Sequence, residues 1–363
     1  MPRRILCCLS ALLILYGTFP CRASAVSTSA TSAILVDVNS GRVLYEQNAD
    51  AKMRIASTTK IMTALVAIRE GNPEDVVTVK REATLTEGSS MYLKEGERLT
   101  LETLLYGLML CSGNDAAVAI ADHVGGSQEG FVALMNETAK TLGMEHSSFA
   151  NPNGLDQEDH YSTARDMARL ACEAVGDETL VRIASTRTAS AGGRTMNNHN
   201  KLLTYMDGCI GLKTGYTRAA GRTLVSCAER NGQRLVAVTL QDGNDWADHQ
   251  ALFEYGFSAY PAQRGAVLGH VVSEAGVRGG LSRAVPLVAA AGFSWPVGEG
   301  ETLERRVELN EPLTAPVRAG TLAGQAVFTL NGAEVGRIDL ICGETVLPEL
   351  ESAMSVLKEG LTE

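Results

Sequence analysis

The chain predicts an α+β catalytic domain followed by a small all-β domain, and three observations carry that expectation. Strand-like apolar runs stand at both ends of the segment up to Phe257, so a sheet must be assembled from strands far apart in sequence. Helical runs occupy the space between them. After Pro261 the pattern changes to short alternating runs punctuated by Gly and Pro.

In chain order, residues 1–25 read as a secretory leader. Arg3 and Arg4 give a positive start, 5–16 an apolar stretch, and Ala23-Ser-Ala25 a small-residue cleavage site. Export by a cleavable leader places the remaining chain outside the cytoplasm, in the cell wall or at the outer face of the membrane. Residues 33–38 and 42–46 read as strands around an Asn39-Ser-Gly41 turn. Helices are expected over 58–69, 100–109, 115–123 and 129–142. A strand ends at Lys213-Thr-Gly215, and 223–229 and 234–240 form a hairpin through Asn231-Gly232. A closing helix covers 246–255. The expected boundaries are therefore 26–262 for the catalytic domain and 263–346 for the β domain, whose last hairpin turns at Asn331-Gly332. A tail over 347–363 opens at Pro348 and repeats Leu350, Met354, Leu357 and Leu361 at helical spacing. Its polar face is acidic, which predicts weak or no contact with a membrane surface.

Charge and cysteine use narrow the function. The whole chain carries 32 basic and 42 acidic residues, a formal charge of −10. Loss of Arg3, Arg4 and Arg22 with the leader makes it more negative still. That argues against a nucleic-acid partner, which needs a basic face. Cys111, Cys172, Cys209, Cys227 and Cys342 remain after the leader; five dispersed cysteines form no disulfide framework and read as small apolar residues.

Three phrases carry the chemistry: Ser57-Thr-Thr-Lys60, Ser112-Gly-Asn114 and Lys213-Thr-Gly215. A serine hydroxyl is a poor nucleophile until a base removes its proton. The three-residue spacing puts Ser57 and Lys60 on one helix face, and the helix start offers backbone N–H groups to an oxyanion. A capping serine beside a solvated lysine is the commoner meaning of this phrase alone. The apolar run 61–68 argues otherwise, because it buries the helix and draws Lys60 inward. Burial lowers a lysine's proton affinity, and so does a second cation, for which Lys213 is available. Lys213 and Thr214 end a strand whose edge can pair with a peptide, with Gly215 allowing close approach. Ser112-Gly-Asn114 lies between two apolar helices, where it serves both as a helix break and as a source of a proton relay and an amide contact.

The order of the phrases resembles the low-molecular-mass penicillin-binding proteins of the D-alanyl-D-alanine carboxypeptidase family, over about residues 33–347. Further matching stretches are Asn151-Pro-Asn-Gly-Leu155, Tyr161-Ser-Thr-Ala-Arg-Asp166 and Asn198-His-Asn200. The Ser-x-x-Lys, Ser-Asp-Asn-type and Lys-Thr-Gly set is the known signature of penicillin-binding proteins and class A β-lactamases. The resemblance implies a penicillin-binding/β-lactamase-like transpeptidase fold, with Ser57 as nucleophile, Lys60 as base and Ser112 as proton relay. Asn114 and Lys213 organise the site, Thr214 contacts a terminal carboxylate, and the N–H groups of Ser57 and Tyr216 form the oxyanion hole. It also implies a peptidoglycan stem peptide ending in D-Ala-D-Ala as substrate, β-lactams as inhibitors, and no metal or cofactor. Some relatives carry a carboxylate-binding arginine ahead of the closing helix; Gly243-Asn-Asp-Trp-Ala-Asp248 has none, leaving Arg218 or Arg222 to substitute.

Two rivals are weighed. A class A β-lactamase needs a deacylating glutamate, and no Glu-x-x-Leu-Asn phrase stands between Asn114 and Lys213. An idle wall-binding homologue would not need both lysines.

Overall fold

The computed structural model describes residues 26–349 apart from Glu311. The leader and the helical stripe from Leu350 onward lie outside the described residues. Pro348, expected to open that helix, instead bridges Gly280. Leu347 and Glu349 also pair along 279–281, so the chain continues the β domain as far as it is described. A proline's fixed φ suits an extended edge as well as a helix start.

The catalytic sheet has five antiparallel strands in the order Val43–Gln47, Ser32–Asp37, Gln233–Leu240, Gly221–Arg230, Cys209–Thr217. Residues along each strand alternate between two cores, as a period of two requires. Ile34, Val225, Val236 and Val238 face the larger core, which holds the helix Lys60–Glu70 and its neighbours. Leu35, Leu224, Leu235 and Ala237 face the closing helix Asp245–Ala259 through Leu252 and Phe253. With helices on both faces, the central strands read as continuous apolar runs rather than alternating ones. Asn231 and Gly232 both adopt positive φ, 52° and 78°, as a two-residue hairpin turn demands. The Lys213 strand does not end at Gly215 but runs on to Thr217, paired with Gly221.

Residues 164–174 and 178–185 form two further helices, capped by the side chains of Thr163 and Asp177. The C-terminal domain builds a six-stranded sheet around Val285, Leu287, Phe328 and Leu340. Arg42 ties it to the catalytic domain, donating to Pro296 O at 2.6 Å and pairing with both oxygens of Glu301. The five cysteines among the described residues are all free.

Two histidines are buried structural groups. His249 bonds Ser226 Oγ at 2.5 Å and Thr239 Oγ1 at 3.0 Å across two strands. His160 Nδ1 accepts from Ala150 N, so its proton lies on Nε2 and is donated to Thr59 Oγ1. Burial pushes His160 down to about 4 and His249 down to about 3. The unfolded chain therefore binds protons first as pH falls below ~6.5. Stability present above that pH is lost progressively as pH falls through these lower values. Each tenfold change in proton affinity is worth about 1.4 kcal/mol, so the loss sums to several kcal/mol. Thermal melts at decreasing pH should show the midpoint falling between neutrality and pH ~4. A constant midpoint across that range would contradict this account of the two imidazoles.

Candidate active site

Ser57 sits on one turn of 3-10 helix, Ala56–Thr59, that runs straight into the helix Lys60–Glu70. The turn is held from several sides. Thr58 Oγ1 donates to Ile55 O and Thr59 Oγ1 to Ala56 O, while His160 bonds Thr59. Ala56 takes a positive φ of 48°, and Gly154 packs directly beneath it. A Cβ at Gly154 would stand 2.0 Å from Ala56 O, so only glycine fits there. The position of Ser57 is thus fixed by packing rather than left on a mobile loop.

Lys60 is fully buried, and three acceptors surround its amine. Nζ lies 3.0 Å from Ser57 Oγ, 2.7 Å from Asn114 Oδ1 and 2.5 Å from Asn153 O. The amide and peptide oxygens can only accept. A neutral amine spends its two N–H groups on them and is left with its lone pair directed at Ser57 Oγ. Burial first, and the charge of Lys213 second, hold Lys60 well below the ordinary lysine range; Asp115 opposes the shift. A neutral amine placed there is within reach of the serine proton.

Asn114 starts the helix Asn114–Val124. Its Oδ1 accepts from Lys60, and its Nδ2 donates to Glu87 O at 2.6 Å. It therefore fixes Lys60 and makes no hydrogen bond to Lys213. Ser112 is buried in the left-handed region, φ 61°, and lines the cleft; its hydroxyl has no side-chain hydrogen bond among the described residues. Lys213 is buried, its Nζ donates to Thr214 O at 3.0 Å, and burial pushes it down to about 7. Gly215 passes against the Ser57 turn. A Cβ there would lie 2.4 Å from Thr223 Oγ1 and 3.0 Å from Ser57 N, so this glycine is required by the strand's approach to the turn. Tyr216 is exposed at the rim.

The structure brings the eight candidate residues to one cleft of about 450 Å³, with Lys60, Asn114 and Lys213 in its wall behind the surface-lining groups. Ser89, His199, Arg222, Asp245 and Trp246 also line it, and Asn153 supports it through its backbone. Asp115 shapes the rim by accepting from Ser90 Oγ and from Met91 N and Leu93 N. The lining contains no glutamate; its one carboxylate, Asp245, is bound to Arg222.

Together the sheet edge, the helix-borne Ser57 and the buried Lys60 form the constellation of the penicillin-binding type. A D-alanyl-D-alanine carboxypeptidase family model matches residues 20–244, and a penicillin-binding protein 5 C-terminal domain model matches 263–347. The chain is 32% identical over 329 residues to the D-alanyl-D-alanine carboxypeptidase DacF of Bacillus subtilis, covering 86% of this chain and 84% of that one. It is 36% identical over 341 residues to DacC of Escherichia coli, covering 89% and 85%. The solved structure of penicillin binding protein 5 from Haemophilus influenzae superposes with a TM-score of 0.73 at 29% identity, covering 89% of this chain and 99% of that one. The chain belongs to the serine-type D-alanyl-D-alanine carboxypeptidase family of low-molecular-mass penicillin-binding proteins.

Proposed function

We propose that the protein removes the terminal D-Ala from peptidoglycan stem pentapeptides through an acyl-enzyme on Ser57. The observation that carries this reading is Lys60, buried with two fixed oxygen acceptors and Ser57 Oγ at 3.0 Å. Ser57 Oγ attacks the carbonyl between the two D-alanines while Lys60 takes its proton. The N–H groups of Ser57 and Tyr216 receive the oxyanion, and Ser112 relays a proton to the departing amine. Water then hydrolyses the ester. Thr214 and Lys213 face the substrate's C-terminal end, and Asn114 holds Lys60 in place.

β-Lactams acylate the same serine, and a cleft without a glutamate offers no fast exit for that ester. Export through the 1–25 leader places the enzyme on the wall side of the membrane. Among the described residues no helix is long and apolar enough to cross a membrane. The acidic tail beyond Leu350 is proposed to give little or no contact with anionic lipid.

The experiment is release of free D-Ala from a soluble stem pentapeptide. One equivalent of D-Ala and a tetrapeptide are expected, with release blocked by prior treatment with penicillin. A folded protein that releases no D-Ala would overturn the proposal.

A further inference from the structure

We infer that Arg222, clamped by Asp245 and Trp246, is the cation that binds the free carboxylate of the substrate's terminal residue. The inference rests on the carboxypeptidase reading above. A substrate ending in a free carboxylate brings a full negative charge into the cleft, and this acidic chain must meet it with a local cation.

Lys213 fills that need only in part. Its amine is buried, already donates to Thr214 O, and burial pushes it down to about 7, so it is not a permanent positive charge. A guanidinium stays protonated throughout the working range. Arg222 is the arginine that lines the cleft, whereas Arg218 is exposed and stands outside the lining.

The strand pairing explains how Arg222 gets there. It is the Cα partner of Tyr216, directly beyond Thr214 and Gly215 on the neighbouring strand. Asp245, at the start of the closing helix, has a side chain only 4% exposed, against 43% for Arg222. Asp245 Oδ1 is itself fixed by Trp246 N at 2.9 Å and accepts from Arg222 Nη2 at 2.5 Å. The guanidinium carbon also lies 5.6 Å over the Trp246 ring. The buried carboxylate and the indole therefore orient the guanidinium. Among the described residues that is its one side-chain hydrogen bond, which leaves most of its five donors for a ligand. The segment 243–248 carries no arginine of its own; Asp245 there holds one supplied by the adjacent strand.

The test compares turnover of an N-acylated peptide ending in D-Ala-D-Ala with that of the same peptide as its C-terminal carboxamide. Wild type should prefer the free acid. Arg222→Gln should lower kcat/KM for the acid by about 10- to 100-fold, mainly through KM, as expected for loss of a charged hydrogen bond. The amide should suffer far less, so the acid-over-amide preference collapses toward unity. Arg222→Lys should restore part of that preference, and Arg218→Gln should leave it intact. A merely structural role would lower both substrates alike. Equal losses on the two peptides, an unchanged preference in Arg222→Gln, or a collapse caused by Arg218→Gln would each overturn the assignment. Failure of wild type to turn over either peptide would instead overturn the carboxypeptidase reading, and this inference with it.

Discussion

Replacing Ser57 with alanine is expected to reduce D-Ala release by a factor on the order of 10⁴ to 10⁶, the scale seen when a covalent nucleophile is removed. The variant should also take up no penicillin. Ser57 is half-buried on a turn whose neighbours hold it through Ile55 O, Ala56 O and His160, none of which involves the serine hydroxyl. The fold should therefore survive, and thermal melting should match wild type closely. Steady-state release assays beside melts of the same preparations check both halves. Residual release within tenfold of wild type would mean another group performs the attack.

The second large effect concerns the base. Lys60→Ala should cost about 10²- to 10⁴-fold in acylation, the usual worth of a positioned general base. The pH dependence gives a sharper prediction. Lys60 works only when neutral, so acylation should rise as pH rises through its proton affinity. Burial and Lys213 lower that affinity, so the rise should be complete at lower pH than an ordinary lysine would allow. Lys213→Ala removes the neighbouring cation, restores part of Lys60's hold on its proton, and should move the rising limb to higher pH. Stopped-flow acylation rates of wild type and Lys213→Ala across the pH range measure this. A rate that is flat or falls with rising pH, or a limb that moves to lower pH in the variant, would contradict a lysine base.

Much of the site was legible in the sequence because its chemistry sits in three short phrases whose residue types are demanding. Ser57 and Lys60 could be placed on one helix face from spacing alone, and the apolar run behind them announced Lys60's burial. The central hairpin was equally plain, since Asn231-Gly232 needs two positive φ values that few other pairs adopt. Other parts left no such mark. Asn153 supports Lys60 through its carbonyl, and a carbonyl is common to every residue type. Arg222 and Asp245 are 23 residues apart and meet only once the sheet has placed one strand beside the closing helix. Gly215 was read as room for substrate, but its Cβ would meet Thr223 and the Ser57 turn, so strand packing also requires the glycine. The helices at 164–174 and 178–185 did leave a signal in their capping residues Thr163 and Asp177, which the apolar pattern alone did not resolve.

The most direct test of a Ser57 acyl-enzyme is mass spectrometry of the intact protein after brief exposure to penicillin, followed by peptide mapping. The expected result is a mass gain of one penicilloyl group, located on the peptide containing Ser57 and persisting long after free drug is removed. An adduct on any other residue, or rapid loss of the adduct with continuous hydrolysis of the drug, would contradict it.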